Sequence, residues 1–417
     1  MQDIEDAPTW EVRTPQLLAL LAASAPQLQS LDHRYPQPAP LNWAAALPNS
    51  LLQLSQLTYL SLDFGRAPVT TAHLDAKLKG LSSLQHLSLS CNKALKGFPL
   101  SIVHCCTRLR HLSISDSSGW DDNACVGAVP SDLGQLVGLT CLRLVKVSVS
   151  RLPDSVSRLT ALCELDLEGN AEPIIPEVLF SLLSLTKLTL GDSMDYSVPE
   201  GISRLTGLLQ LSIKCQRYTE LPVGLVACRL LSRLEMASDP ASPVPASLPS
   251  LRHLSIRVLP NRLPHVDFWS SLTELVELEL HCTKRHPCVV DNLDEMVSLS
   301  KLTIFSACLD ETPTGTHLRQ LESLRLVGCS QSVNMLRCLR DSKKMRELTV
   351  KGELLILRGQ LVRVLSSLPN LEYLELRKPT ALIQLSVWEA GLVHVMAKRL
   401  AKGYAPVTVR FAQQISS

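Results

Sequence analysis

A leucine pattern that returns every 20 to 30 residues constrains this chain more than any other feature of its sequence. The motif Leu-x-x-Leu-x-x-Leu-x-Leu occurs at 81–89, 159–167 and 182–190, and looser copies accept Ile, Val, Met or Cys. Self-similarity at such a period predicts an array of stacked units rather than separate globular cores. With the third leucine as anchor there are fourteen copies: Leu60, Leu87, Leu112, Leu142, Leu165, Leu188, Leu211, Leu234, Leu254, Leu278, Leu302, Leu324, Leu348 and Leu374.

The spacing inside the motif predicts the local structure of each copy. In Leu-x-Leu both leucines point to one side of an extended segment, and the residues around them point to the other. One such strand cannot bury its apolar side alone, whereas parallel copies about 4.8 Å apart form a continuous sheet and core. A proline that fixes φ stands eleven residues after five of the anchors and is expected to begin the outer segment of the repeat. These are Pro153, Pro176, Pro199, Pro222 and Pro245.

This pattern resembles the leucine-rich repeat family over roughly residues 50–380. The resemblance implies an α/β fold: a curved horseshoe solenoid with a parallel β-sheet on its concave face and short helices or turns on its convex face. The copy containing Asn92 and Gly97 is similar to the plant-specific repeat class. Anchors 142 to 234 resemble the repeats of plant Ras-group-related proteins and plant immune receptors. The family's turn asparagine, five residues after the anchor, is present only as Asn92 and Asn170, so we expect irregular turns.

The two ends differ from the middle in charge. Residues 1–50 carry five acids against two arginines and are interpreted as a partly irregular N-terminal cap. Residues 51–380 form the array of about fourteen repeats, and 381–417 a basic C-terminal capping segment. Residues 377–417 carry six bases against one acid, with helical spacing at 382–400 and a possible last strand at 407–409. A surface for a membrane or an acidic partner is the alternative for this segment.

Composition excludes several classes of function. The formal net charge is +2 and aromatic residues are 4% of the chain, which argues against nucleic-acid binding. No run of about 20 apolar residues is present, so no membrane span is expected. Thirteen cysteines, the lack of an Asn-x-Ser/Thr site and the lack of a signal peptide favour reduced thiols in the cytoplasm. A cytoskeletal or axonemal location would fit if the source is a flagellated alga.

A search for catalytic and metal-binding motifs is negative. The sequence holds no Gly-x-x-x-x-Gly-Lys-Ser/Thr, Gly-x-Gly-x-x-Gly, Gly-x-Ser-x-Gly or His-Glu-x-x-His motif. The best metal candidate, which lies around one turn, matches no standard zinc-site spacing, and we expect neither metal nor cofactor. Cys106 is expected in the core. The residues of the metal candidate are His281, Cys282, His286 and Cys288.

Residues on either side of each anchor are expected to face solvent on the concave side. Glu164, Asp166 and Glu168 alternate along one predicted strand and indicate an acidic patch. A more basic patch is expected around Lys187, Lys214, Arg233 and Arg257, while His86 and His111 should be neighbours. The predicted partner-binding residues are His86, His111, Arg143, Glu164, Asp166, Glu168, Lys187, Lys214, Arg233, Glu235, Arg257, Glu277 and Glu279.

The sequence therefore predicts a non-enzymatic scaffold that binds a partner protein on the concave face, in intracellular signalling of a plant or green alga. Mixed charge on a rigid surface favours specific protein contacts over a phosphate backbone. Three alternatives stay open: a fragment of an intracellular immune receptor, an F-box-type substrate adaptor and a ciliary axonemal protein. An enzyme with a novel site is a more remote interpretation.

Overall fold

The chain folds into two compact units, residues 1–216 and residues 217–417, and each is described by itself. The structure is a computed structural model. It describes residues 10–12, 27–34, 49–64, 69–91, 95–116, 126–170, 177–191, 198–213, 222–238, 248–258, 272–282, 296–305, 316–329, 338–340, 342–351, 363–377 and 382–412.

In the first unit, the described strands form one parallel ladder in which each strand pairs with the next along the chain. The anchors lie opposite one another from Leu60 to Leu211, and Leu31 extends the same row before them. A further strand pairs with the segment around Leu31. The strands are β1 (Trp10–Val12), β2 (Ser30–Arg34), β3 (Tyr59–Asp63), β4 (His86–Cys91), β5 (His111–Asp116), β6 (Cys141–Val145), β7 (Glu164–Asp166), β8 (Lys187–Leu190) and β9 (Gln210–Ile213).

The second unit repeats this arrangement. Its anchors run in register from Leu234 to Leu374, and Val409 on the last strand continues the row, so the last strand expected near residues 407–409 is present. The strands are β10 (Arg233–Ser238), β11 (His253–Val258), β12 (Glu277–His281), β13 (Lys301–Phe305), β14 (Ser323–Val327), β15 (Glu347–Lys351), β16 (Tyr373–Arg377) and β17 (Thr408–Ala412).

The buried row of anchors is the core of both ladders. Each of the fourteen anchor side chains is at most 1% exposed, as the sequence predicts. Burying a leucine contributes about 1.5–3 kcal/mol, and here every anchor is covered by the leucines of the adjacent strands. Backbone bonds fix the register as well: the amides of Gln85 and His86 both donate to the carbonyl of Thr58, at 2.8 and 2.9 Å. The same pairing recurs from strand to strand, for example at Arg110 and His111 with Gln85.

Short helices lie between successive strands, and several of them stack on one another. Pro153, Pro199 and Pro222 each precede one of these helices with φ between −60° and −72°, as expected from their spacing; Pro176 and Pro245 lie outside the described residues. The α-helices are α1 (Thr71–Leu78), α2 (Leu100–Cys105) and α3 (Leu382–Ala401). Single-turn 3-10 helices span Asn49–Gln53, Ser131–Gln135, Asp154–Arg158, Glu177–Ser181, Glu200–Arg204, Val223–Ala227 and Thr316–Gln320.

Asn170 fills the expected turn position, and its side chain hydrogen-bonds five backbone groups, including the carbonyl of Glu168 at 3.4 Å. Its side-chain oxygen accepts from the amides of Val147 and Val149, at 3.1 and 2.9 Å. Its amide donates to the carbonyls of Leu144 and Leu167, at 2.6 and 2.7 Å. The side chain is fully buried, so it replaces water for the turn. Asn92, the other predicted member, lies outside the described residues.

A cysteine takes the same place in the second unit. Cys329 stands five residues after its anchor, is buried, and its thiol donates to the carbonyl of Ile304 at 3.3 Å. A thiol supplies only one weak donor, whereas an asparagine supplies two donors and an acceptor. The turns therefore differ between repeats, as the scarcity of asparagine predicts.

The C-terminal helix α3 is fixed to the last repeat by a buried arginine. Arg399, only 1% exposed, donates to the carbonyls of Leu365 and Leu371 at 3.0 and 3.1 Å, and also bonds the Leu368 carbonyl. Lys402 donates to the carbonyl of Ser366 at 3.0 Å. These two bases of the basic segment thus satisfy backbone carbonyls at the end of the array.

Replacing Asn170 by leucine should lower the free energy of unfolding by about 2–4 kcal/mol, because buried backbone groups lose their partners. In hydrogen-exchange mass spectrometry, amide exchange in this variant should be faster than in the wild type only in the turn, at the amides of Val147 and Val149. Asn370→Leu is the control: Asn370 is exposed and donates one bond, to Lys343. Equal losses in the two variants would contradict this role for Asn170.

Replacing Arg399 by methionine should loosen α3 from the last repeat, because three buried carbonyls lose a charged donor. We expect a loss of about 2–4 kcal/mol and earlier cleavage between residues 363 and 401 under limited proteolysis. The control, Lys398→Met, removes an exposed charge one residue earlier on the same helix. Unchanged proteolysis of the Arg399 variant would show that the helix is held by other contacts.

Candidate functional site

We call the solvent side of each ladder the open face; it is formed by the residues immediately before and after each anchor and the third residue after it. Because the strands are parallel and in register, side chains at equal positions form columns of direct neighbours. Most members of these columns are half-buried or exposed, but not all face solvent as predicted. Asp166 is only 3% exposed, and Thr189, Thr303, Thr349 and Glu375 are also buried, because neighbouring side chains cover them.

A column of stacked rings occupies β3, β4 and β5. The Tyr59 and His86 rings lie 4.3 Å apart at 17°, and the His86 and His111 rings lie 4.0 Å apart at 8°. The two histidines are therefore neighbours, as predicted, and Tyr59 extends the stack. The spacing of the rings follows the spacing of the strands, so the backbone sets the stacking distance.

Burial keeps these three rings uncharged near pH 7. Burial, together with the nearby His111, lowers the pKa of His86 to about 4. The pKa of His111 is also lowered by burial, against an opposing effect of Glu164. Burial and the charge of Asp32 raise the pKa of Tyr59. The stack thus presents neutral ring edges that can both donate and accept hydrogen bonds.

Next to the rings, four predicted site residues form an ion-pair network across β6, β7 and β8. Arg143 donates to Asp166 at 3.0 and 3.1 Å and lies 3.9 Å from Glu164. Lys187 donates to Glu164 at 2.8 Å. The expected separate acidic and basic patches are therefore wrong here: two acids and two bases alternate and neutralise one another.

Glu168 does not continue the row of carboxylates. Strand β7 ends at Asp166, whose side chain accepts a hydrogen bond from the Glu168 backbone amide at 3.1 Å. The Glu168 carbonyl accepts from the amide of Lys146 at 2.8 Å. The prediction that three carboxylates alternate along one strand holds only for Glu164 and Asp166, because the turn held by Asn170 begins directly after them.

The open face of the second unit combines histidines with carboxylates. His253 and Glu277 are joined by a 2.8 Å hydrogen bond, and His281 lies 3.9 Å from Glu279. The nearby His281 lowers the pKa of Glu279 against the opposing effect of burial, so this carboxylate stays ionised near pH 7. Lys351 pairs with Glu375 at 2.9 Å. Most acids of this face are thus engaged by a neighbour in the next column or strand.

The remaining predicted residues divide by exposure. Arg233 and Arg257 are exposed on β10 and β11, and Glu235 is half-buried between them in sequence. Lys214 lies outside the described residues. Lys187 belongs to the first unit and Arg233 to the second.

The metal candidate is placed only in part. His281 stacks on Phe305 at 4.4 Å, and Cys282 follows it, while His286 and Cys288 lie outside the described residues. Among the residues that the structure describes, no group of three histidine, cysteine or acidic side chains converges as metal ligands would. Cys106 lies in the core as predicted, and burial raises the pKa of its thiol to about 12. Within the described ranges no helix has both the length and the apolar character to span a bilayer.

Comparison with known proteins agrees on the fold. Solved structures similar to this chain include an internalin from Listeria monocytogenes, at 15% identity over 87% of this chain and 97% of the internalin, with a TM-score of 0.52. TLR13, in the structure of the TLR13–ssRNA13 complex, is 17% identical to this chain over 85% of this chain and 58% of TLR13, also with a TM-score of 0.52. A leucine-rich repeat protein from Leptospira interrogans is 19% identical over 97% of this chain and 89% of that protein, with a TM-score of 0.47.

No protein-family model matches the sequence, and no curated protein matches it. At 15–17% identity the structural likeness establishes the fold alone. The chain has the leucine-rich repeat solenoid fold, with parallel strands joined by short helices or turns, as the leucine pattern predicts.

Three residues that organise the structure are not among the predicted site residues. Tyr59 extends the histidine stack, Cys329 substitutes for a turn asparagine, and Arg399 secures α3. A signal existed for the first, since Tyr59 occupies the same repeat position as His86 and His111. For Arg399 the only signal is its place in the helical run 395–400, whose other residues apart from Lys398 are apolar.

The ring stack predicts a pH dependence of stability. Because the folded pKa of His86, about 4, lies below its ordinary value of about 6.5, the folded state binds fewer protons than the unfolded state. The contribution of neutral His86 to the free energy of unfolding is fully present above pH 6.5 and should decline as the pH falls towards 4. His86→Gln should flatten that decline, measured by urea unfolding at several pH values, while the non-titrating control Ser113→Ala should not. A His86 resonance titrating near its ordinary pKa in NMR would contradict the assignment.

Proposed function

We propose that this chain is a non-enzymatic protein-interaction scaffold whose open face, predicted from sequence to be concave, binds a partner protein. The observation that carries the proposal is the order of the open face. Side chains such as Lys187 and Glu164 are fixed by in-register backbone and by bonds to their neighbours. A pre-organised surface loses little conformational entropy on binding, so more of the contact energy becomes affinity.

The charge pattern supports a protein over a nucleic acid. The TLR13–ssRNA13 complex shows that a protein of this fold can be found with RNA, so the fold does not decide the partner. An RNA-binding face combines a basic groove with aromatic faces on which bases stack. Here acids and bases alternate: Arg143 neighbours Asp166, and Lys187 neighbours Glu164. Alternating charge of this kind favours a protein surface with a complementary pattern.

The state of the carboxylates supports a binding role over catalysis. A general acid that works near pH 7 needs a raised pKa, which usually comes from an apolar pocket. The pKa of Glu279 is lowered instead, through the nearby His281. Glu164 and Asp166 are bound to Lys187 and Arg143, so both carboxylates are engaged in ion pairs within the face.

For the cellular setting we propose intracellular signalling in a plant or green alga. The support is the sequence resemblance of the 142–234 repeats to plant intracellular repeats, together with the buried thiols. Burial raises the pKa of Cys141 to about 12 and that of Cys228 to about 11, so both stay protonated. Buried thiols that stay protonated and form no disulfide are typical of proteins in a reducing cytoplasm.

A charge reversal on the second unit tests the proposed function. Arg233, Arg257 and Lys301 are exposed on the open face. Changing all three to glutamate should reduce partner capture at least about tenfold, because like charges oppose the partner. Thermal unfolding should change little, since exposed substitutions usually alter stability by less than about 0.5 kcal/mol each. Capture is measured by affinity purification with the full chain and quantitative mass spectrometry.

The matched control reverses three exposed arginines outside the strands, Arg158, Arg204 and Arg229. It makes the same change in net charge and should leave capture unchanged. Loss of capture with the control but not with the open-face variant would place the binding surface on the helical side and contradict the proposal.

A further inference from the structure

An uncharged patch covers three neighbouring strands of the first unit. In the columns directly before and after the anchors, β3, β4 and β5 carry only ring and hydroxyl side chains, all half-buried. The patch ends at Asp32 on β2 and at Arg143 on β6, and each of the next three strands carries a charge in these columns. Its six members, the β3–β5 patch, are Tyr59, Ser61, His86, Ser88, His111 and Ser113.

We propose that the β3–β5 patch is the desolvated centre of the interface in the first unit, and that it takes a partner segment whose contacting side chains are uncharged hydrogen-bonding groups such as hydroxyls and amides. This inference rests on the proposed function and names the chemistry of the partner at that face. Peptide segments rich in Ser, Thr, Asn, Gln and Tyr have this character.

The patch is the part of the open face that loses water at the lowest cost. Burying a charged side chain costs several kcal/mol unless it keeps a well-placed counter-charge. Tyrosine and serine side chains avoid that penalty, and for this reason they predominate in many protein-binding surfaces. The low pKa of His86 and His111 keeps both imidazoles neutral near pH 7. A charged partner group placed at the centre of the patch, on β4, would lose its hydration without meeting an opposite charge there, because Asp32, Asp63 and Arg143 lie at the edges of the patch.

Stacking also fixes the rings before a partner arrives. Both faces of His86 are covered, by Tyr59 at 4.3 Å and by His111 at 4.0 Å. The ring edges are therefore the parts available for contact, and little rotamer freedom is left to lose on binding. A nucleobase binds such surfaces by stacking on a bare ring face. Covered faces and available edges favour hydrogen bonding to a peptide instead.

A charge scan with both signs tests the proposal. A random peptide library displayed on phage is selected on the full chain, and the enriched peptides are measured by biolayer interferometry. We expect them to be near neutral and rich in hydroxyl, amide and tyrosine side chains. Ser88→Glu and Ser88→Lys should each weaken their binding at least about tenfold, because either charge would be buried unpaired. Ser113→Lys repeats the test on β5, where a glutamate would instead pair with Arg143 on the next strand. Thermal unfolding confirms that each variant is folded.

The controls Ser212→Glu and Ser212→Lys place the same charges on β9, in the same column and at similar exposure. They should leave binding within about twofold. If one sign strengthens binding at Ser88 while the other weakens it, the patch acts by charge complementarity and the inference is overturned. If binding depends on other open-face residues but not on Ser88 or Ser113, the inference fails and the proposed function stands. If no selected peptide responds to any open-face change, both fail.

Discussion

The row of buried anchor leucines is the constraint on which the rest of this structure depends. Each strand can hide its apolar side only against the same residue of the strands beside it, so the repeats must stack in register. Leu87, for example, lies between Leu60 and Leu112 and has no exposed surface. A shift of one residue would turn this leucine outwards and bring a polar residue into the core. The buried anchors therefore fix the register of the side chains on the open face.

Register turns positions that are 23 to 30 residues apart in sequence into lateral neighbours about 4.8 Å apart. Side chains of one column must then be mutually compatible. Along β3–β5 the solution is ring stacking. Across β6–β8 it is the pairing of opposite charges on adjacent strands, Arg143 with Asp166 and Glu164 with Lys187. Like charges at these positions would repel at short range. The neutral zone and the ion-paired zone both avoid this repulsion between adjacent strands.

How far the sequence predicts the structure depends on whether a feature is periodic. The anchors, which recur in every copy, give the strand register, and the prolines that recur in five copies, such as Pro153 and Pro199, mark where short helices begin. The end of β7 is different. It is set by the hydrogen bonds of Asp166 and Asn170 to a turn that occurs once among the described repeats. The leucine spacing carries no trace of this turn, and it therefore predicts a strand that extends to Glu168.

The site was predictable as a set of positions but not as a set of charges. Register alone places His86 beside His111 and Glu164 beside Lys187, yet sequence does not tell how deeply the neighbours bury them. Burial is what lowers the pKa of His86 to about 4, and pairing is what neutralises Glu164. An open face that looks from the sequence like scattered histidines and acids is therefore, near pH 7, a neutral patch bordered by paired charges. Under the proposed function, a partner at β3–β8 has less to gain from net charge than from matching hydrogen bonds, since each ion pair it meets there is already satisfied within the ladder.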